Sequence, residues 1–199
     1  MRKKLIPSFL FIIFLALLNS CIVAGINGNG KVIDEDRNVK DFNGVYLEGV
    51  GEVNIYQADN FKVTVTTDSN IQDIITTKVS DNVLIIDEEH RGGFNSTKLI
   101  INVYMPELSN ITLKGAGNFN VVNGKTSNLE ITLKGAGNIK AQDYEVENVT
   151  INHSGAGDIK LWATKSLTGK LSGVGNIFYK GSPSNININR TGIGNLNKL

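Results

Sequence analysis

Between residues 111 and 161 apolar and polar positions alternate in short runs, and the runs return every twenty residues. Ile111, Ile131 and Ile151 fall in one column, with Leu113 and Leu133 two residues further on. Past an intervening Gly-Ala-Gly, Phe119, Ile139 and Ile159 form another column, followed by Val121, Ala141 and Leu161. An apolar period of two is the signature of a strand with one buried face. The string ITLKGAGN stands at 111–118, stands again at 131–138, and returns as INHSGAGD at 151–158. Looser copies are LSGVGNIFY at 171–179, ININRTGIGNL at 186–196 and, earlier, VYLEGVGEVNIY at 45–56.

Two short strands in twenty residues cannot bury their own apolar face, so neighbouring units must stack to make a continuous core. The pattern therefore predicts an all-β fold: a parallel β-helix-like solenoid of rungs about twenty residues long, spanning residues 41–199. Each glycine pair marks a sharp turn between two strands: Gly49 and Gly51, Gly115 and Gly117, Gly135 and Gly137, Gly155 and Gly157, Gly173 and Gly175, Gly192 and Gly194. Positive φ, open to glycine without steric cost, is the predicted reason. Asn118, Asn138, Asp158, Asn176 and Asn195 follow the turns, where short polar side chains bond the backbone or stack as a ladder. The non-repeating residues 57–105 read as a β-rich N-terminal insertion or cap, with FKVTVTT, VLIID and KLIINVYM as strands and SNIQDIITTK as one short helix.

The N-terminus has another character. MRKK is basic, LIPSFLFIIFLALL is apolar but too short to span a bilayer as a helix, and LLNSC closes the run with Ser20 before Cys21. Residues 1–20 are expected to be an export signal, and LLNSC resembles the lipobox of bacterial lipoproteins, in which the cysteine becomes an acylated first residue. Cys21 is the only cysteine, so no disulfide competes for it. The predicted partner is membrane lipid through acylated Cys21, and the predicted location is the outer membrane, since Ile22 is not an acidic retention residue. Residues 21–40 begin Gly- and Asn-rich and are expected to be a flexible tether. Loss of Arg2, Lys3 and Lys4 takes the formal charge from +1 to −2, which gives no footprint for nucleic acid.

With these features together, the chain resembles the head GIN domain family of putative auto-transporter adhesins over roughly residues 41–196. The resemblance rests on FNGVYLEGVGEVNIYQ, NVLIID, INVYMPELSNITLKGAGN and the repeated glycine turns. It implies a secreted or lipid-anchored β-helix-like domain at the cell envelope, and the residues themselves, which offer no catalytic constellation, lead to the expectation of a binding or structural role without enzyme activity.

Candidate chemistry is sparse. His90 and His153 are the only histidines, so no zinc set of Cys and His can be assembled, and no metal or other cofactor is expected. His153 stands in the column of Leu113 and Leu133 and reads as a hydrogen-bonded replacement for a core leucine. His90 follows Asp87, Glu88 and Glu89 in a loop that reads as a solvated surface. GAGDIK has a faint likeness to calcium-binding β-roll repeats, but the period is twenty and Asn dominates where a hard cation prefers carboxylate. No Gly-x-Ser-x-Gly elbow occurs. The enzymatic alternative is a polysaccharide-degrading or polysaccharide-modifying β-helix, which would need converging carboxylates; Glu145, however, aligns between Lys125 and Lys165 as a surface ladder. For binding, Lys140 with Lys160 forms a polar ladder, and Tyr144, Trp162 and Tyr179 are the candidate stacking platforms for a glycan or an envelope protein.

Overall fold

The computed structural model describes residues 25–89 and 92–199. Its strands follow the alternation. The lead-in holds β1 (Ile26–Asn27) and β2 (Val32–Arg37), and the first repeat holds β3 (Gly44–Leu47) and β4 (Val50–Gln57). The non-repeating stretch supplies β5 (Lys62–Asp68), β6 (Ile75–Ser80), β7 (Val83–Glu88), β8 (Phe94–Asn95) and β9 (Leu99–Met105). The regular units then give β10 (Asn110–Leu113), β11 (Ala116–Asn123), β12 (Lys125–Leu133), β13 (Ile139–His153), β14 (Ile159–Leu171), β15 (Ile177–Lys180), β16 (Asn185–Arg190) and β17 (Leu196–Lys198).

The fold is all-β. One fifteen-stranded sheet holds every strand except β1 and β8, which pair with each other. Within the repeats the pairing is parallel and keeps the columns of the sequence. Ile111 lies beside Ile131 and Ile131 beside Ile151, and Phe119, Ile139, Ile159, Ile177 and Leu196 follow one another. Residues 139–140 of β13 pair with β11 while residues 145–153 pair with β12, so a single strand serves both sides and the sheet curls round one apolar core. Ile111, Leu113, Phe119, Ile131, Leu133, Ile139 and Ile159 are fully buried, and each such side chain contributes about 1.5–3 kcal/mol relative to exposure.

Order along the chain is not order in space. β3 and β4 precede all four of their neighbours in the chain, yet β7 and β9 flank them on one side and β10 and β11 on the other. Antiparallel strands finish that end: β5 on β9, β2 on β5, and β6 on β7. The link from β5 to β6 crosses between the two sides, buries Ile71 completely and forms a 3₁₀ turn at Gln72–Ile74. Gln72 fastens it, donating to the carbonyls of Ile33 and Val65, both at 3.0 Å, and accepting from Arg37 at 2.8 Å. The expected helix over SNIQDIITTK is thus only this turn, followed by β6. Ile, Thr and Val fill the second half, and their branched side chains suit a pleated strand better than a helix.

The tether expected over 21–40 also needs correction, because residues 32–37 are part of the sheet. VIDEDR alternates as an edge strand: Asp34 and Asp36 point outward and accept hydroxyl bonds from Thr66 at 2.7 Å and Thr64 at 2.6 Å. Asp68, fully buried, pins the preceding loop by accepting from the N–H groups of Gly30 and Thr97, both at 2.6 Å. Burial pushes its carboxyl up, but these two bonds and the Thr97 hydroxyl hold it below the ordinary carboxylate range. The stretch before residue 25, which contains the expected signal and Cys21, lies outside the described residues.

The glycine corners line up. Ala116, Ala136, Ala156, Val174 and Ile193 bridge in parallel from each unit to the next. Positive φ explains only part of the glycine requirement. Gly137, at φ +139°, is left-handed, whereas Gly115, Gly135, Gly155, Gly173 and Gly192 are not. A Cβ on Gly135 would instead overlap the carbonyl oxygen of Gly115, and the same collision recurs at Gly155, Gly173 and Gly192 with the unit before each. Both members of each pair in these units are glycine because backbone passes over backbone there. At the next position the Asx side chains form the expected ladder. Asn118 Oδ1 accepts from the Asn138 N–H at 3.0 Å, Asn138 Oδ1 from Asp158 at 3.0 Å, Asp158 Oδ1 from Asn176 at 2.7 Å, and Asn176 Oδ1 from Asn195 at 3.1 Å.

Two alanine substitutions separate the causes. Gly135→Ala forces backbone displacement and should cost about 3 kcal/mol or more, whereas Gly30→Ala, at φ +77° with nothing within 4 Å of its Cβ, should cost about 1 kcal/mol. Denaturant midpoints measure the difference; equal losses would show that conformational preference, not contact, sets the corner.

Candidate binding face

Alternation that puts one set of side chains in the core puts the other set on a continuous outer row. Thr64, Asn102, Asn54, Asn120, Lys140, Lys160, Phe178 and Asn197 are neighbours in register across β5, β9, β4, β11, β13, β14, β15 and β17. The amides are linked: Asn54 Nδ2 donates to Asn102 Oδ1 at 3.1 Å, and Asn120 Nδ2 donates to Asn54 Oδ1 at 2.9 Å and to Glu52 Oε1 at 3.0 Å. Beyond Thr64 the row reaches Asp36, whose carboxyl lies below its ordinary range, chiefly because the Thr64 hydroxyl bonds it and, against partial desolvation, because Lys62 stands 3.4 Å away.

Aromatic rings flank this row. Tyr56 and Tyr104 stack at 4.8 Å between centroids with 14° between planes. Lys160 Nζ lies 5.8 Å from the Phe178 ring centre and Lys180 Nζ lies 4.1 Å from that of Trp162, distances at which a cation is attracted to a ring face. A 460 Å³ cleft beside the tyrosines is lined by Asp34, Ala58, Asp59, Asn60, Lys62, Thr64, Asn102 and Tyr104.

The structure separates the three aromatic candidates. Trp162 is on the surface, half-buried beneath Lys180. Tyr144 is not: it is buried, and its hydroxyl lies 3.3 Å from the Leu108 N–H and 3.4 Å from the Leu108 carbonyl. Burial raises its hydroxyl above the ordinary tyrosine value, opposed by bonds from Leu108 and Thr126. The cause is a register shift in β13 between Ala141 and Glu145 that reverses the alternation and turns Tyr144 inward. Tyr179 likewise packs against the core, leaving Phe178 outward. Tyr56, Tyr104 and Phe178 are the surface aromatics that the repeat alignment passes over, although their strand alternation identifies them.

The same shift places Glu145 opposite Trp162 rather than Lys165, and Lys165 pairs instead with Glu147 at 2.8 Å. Glu107, Glu145 and Glu147 line a 550 Å³ cleft with Gln57, Pro106, Lys125, Thr126 and Ser127. Glu107 accepts from the Thr126 hydroxyl at 3.3 Å, and Lys125 is the register partner of Glu145. Glu107 and Glu147 are thus held to the sheet surface by a hydroxyl and an ammonium group respectively.

His153 occupies the leucine column, between Leu133 and Leu171, fully buried. Its Nε2–H donates to the Gly157 carbonyl at 2.7 Å, which leaves the buried Nδ1 without a partner. His90 and Arg91 lie outside the described residues, as does Cys21.

A family model described as "Putative auto-transporter adhesin, head GIN domain" matches residues 41–123 and again residues 110–183. Among solved structures, a putative adhesin from Bacteroides fragilis is similar at 27% identity and a TM-score of 0.60, covering 88% of this chain and all of the other. A putative lipid binding protein from Parabacteroides distasonis shares the fold at 21% identity and a TM-score of 0.52, over 87% of this chain and 99% of the other. No curated protein matches the chain.

Because its two preceding column members are leucine, His153→Leu should leave stability within about 1 kcal/mol of the parent, since the apolar side chain removes the unsatisfied buried Nδ1 while also removing the donor to the Gly157 carbonyl, two effects that oppose each other. A thermal melt tests this, and a loss of several kcal/mol would mean that the imidazole has a role beyond filling the column.

Proposed function

Because the chain belongs to the head GIN domain family of putative auto-transporter adhesins, we propose that it is a binding or structural module of the cell envelope without catalytic activity. Its parallel units of about twenty residues form a β-helix-like stack, and the outer row of that stack meets a glycan or an envelope protein. The observation that carries this reading is the register-matched run of Asn54, Asn102, Asn120, Lys140 and Lys160, bordered by stacked Tyr56 and Tyr104. Side-chain amides offer both donors and acceptors to hydroxyl groups, and aromatic rings offer apolar platforms with a polar edge. Both are fixed to strands rather than loops, so little ordering entropy is lost on contact.

Anchoring is proposed through lipid on Cys21 at the outer membrane, with residues 1–20 removed on export. The lipobox-like LLNSC supports this. Two or more acyl chains would make the attachment stable, at roughly 0.8 kcal/mol for each buried methylene. Among the described residues no helix is long and apolar enough to cross a membrane.

The second reading, cleavage or modification of a polysaccharide, draws on Glu107, Glu145 and Glu147 in one cleft. Against it stand the Lys165 ion pair of Glu147 and the Thr126 hydroxyl bond to Glu107, which engage two of the three carboxylates in contacts within the sheet surface.

Binding is tested on arrays of envelope glycans and by pull-down of envelope proteins. The expected result is saturable attachment that the double variant Lys140→Glu and Lys160→Glu loses by about tenfold, or 1.4 kcal/mol, with an unchanged melting curve. Release of sugar fragments that disappears in Glu107→Gln or Glu145→Gln would replace this reading with the enzymatic one. Metabolic labelling with a fatty-acid analogue should mark the parent chain and not Cys21→Ala, and equal labelling of the two would remove the anchor.

A further inference from the structure

The two ends of the sheet are finished differently. At one end the Ser69–Ile74 crossing covers the core. At the other, among the described residues, β16 pairs only with β14 and β17 only with β15. Core columns run out at this edge. Leu129, Val149 and Leu167 are buried in succession, but the next member of the column, Ile186, is 42% exposed. Ile188 and Leu196 end their own columns only partly covered.

The backbone is open there as well. The Thr191 N–H donates to the Leu171 carbonyl on β14. By alternation, the asparagines of β16 direct their backbone groups at β14, while Ile186, Ile188 and Arg190 direct theirs away from it. Such an edge pairs with another chain unless Pro, Lys or a bulge blunts it, and Asn185–Arg190 contains neither residue and keeps an unbroken register on β14.

We propose that this edge pairs with the same edge of a second copy, antiparallel, about a two-fold axis at Asn187. The segment reads NININ in both directions. Superposing Asn187 on the partner's Asn187 sets Ile186 opposite the partner's Ile188, and keeps every isoleucine inward and every asparagine outward. The isoleucines are also the residues whose N–H and C=O face the open edge, so they form the hydrogen-bonded pairs that flank a non-hydrogen-bonded Asn187 pair. Side-chain pattern and backbone direction thus select the same register, and the interface is isologous, as a two-fold requires. Arg190 falls opposite the partner's Ser184, which separates the two guanidiniums by roughly 20 Å. Head-to-tail stacking is less well matched, because it would set Ile186, Ile188 and Leu196 against the sealed end, whose edge strand turns Asp34 and Asp36 outward. This inference is independent of what the outer row binds.

The test uses the full chain carrying Cys21→Ala. In a non-hydrogen-bonded antiparallel pair the facing Cα atoms are about 4.5 Å apart, within disulfide range. Asn187→Cys should therefore form a disulfide-linked dimer on mild oxidation, while Asn185→Cys, about 14 Å from its own copy in this register, should not. Ile188→Lys should abolish the cross-link in the Asn187→Cys background, and sedimentation of the uncross-linked Cys21→Ala chain should give a dimer. A monomer at every concentration, equal cross-linking of Asn185→Cys, or assemblies growing beyond the dimer would each overturn the proposal. The cysteine pair lies on exposed side chains, so its contrast stands even if Ile188→Lys fails to fold.

Discussion

The structure depends on one close contact, the passage of backbone over backbone at the glycine corners. Where Gly135 meets the carbonyl of Gly115, and Gly155 that of Gly135, there is no room for a single carbon atom. That contact sets the spacing at which successive strands bond, and with it the register that stacks isoleucine on isoleucine. The Asx ladder beside it acts in the same direction, since each side-chain oxygen takes the N–H of the next unit and leaves no slack for a one-residue slip. A slip of one residue would turn the whole apolar set outward.

Much of this was legible because the repeat makes the sequence its own alignment. The columns through Ile111 and Phe119, the outward lysines and the ladder of Asn118, Asn138 and Asp158 all follow from counting by twenty. Counting failed where the chain departs from it. The register shift in β13 reverses the alternation after Ala141, so Tyr144 went into the core and Glu145 moved beside Trp162. Nothing in QDYEVE marks that shift, because the three residues 142–144 left without a partner in β14 leave no compositional trace. Outside the repeats, VIDEDR lies within the stretch expected to be a tether, yet it forms an edge strand, which turns half its side chains to water. The isoleucines of SNIQDIITTK suit a helical spacing as well as an alternating one, and only the crossing they make decides between them.

The surface follows from the same regularity. A chain that repeats its inward residues also repeats its outward ones, so polar side chains collect in straight rows rather than in a pit. The proposed contact with a glycan or an envelope protein draws on this arrangement, in which the amides and lysines are held on strands. The acids of the 550 Å³ cleft are placed differently, beside the segment around Pro106, where Lys165 pairs with Glu147 and the Thr126 hydroxyl bonds Glu107.

The crossing at Ser69–Ile74 has a consequence for how such a molecule can change length over evolutionary time. On the proposed stack, duplication of one unit between β10 and β17 would add a further layer without disturbing the crossing, because the glycine corners of successive units meet in the same way. A duplication within residues 58–105 has no such tolerance: these strands reverse direction, and the crossing has only one end to close.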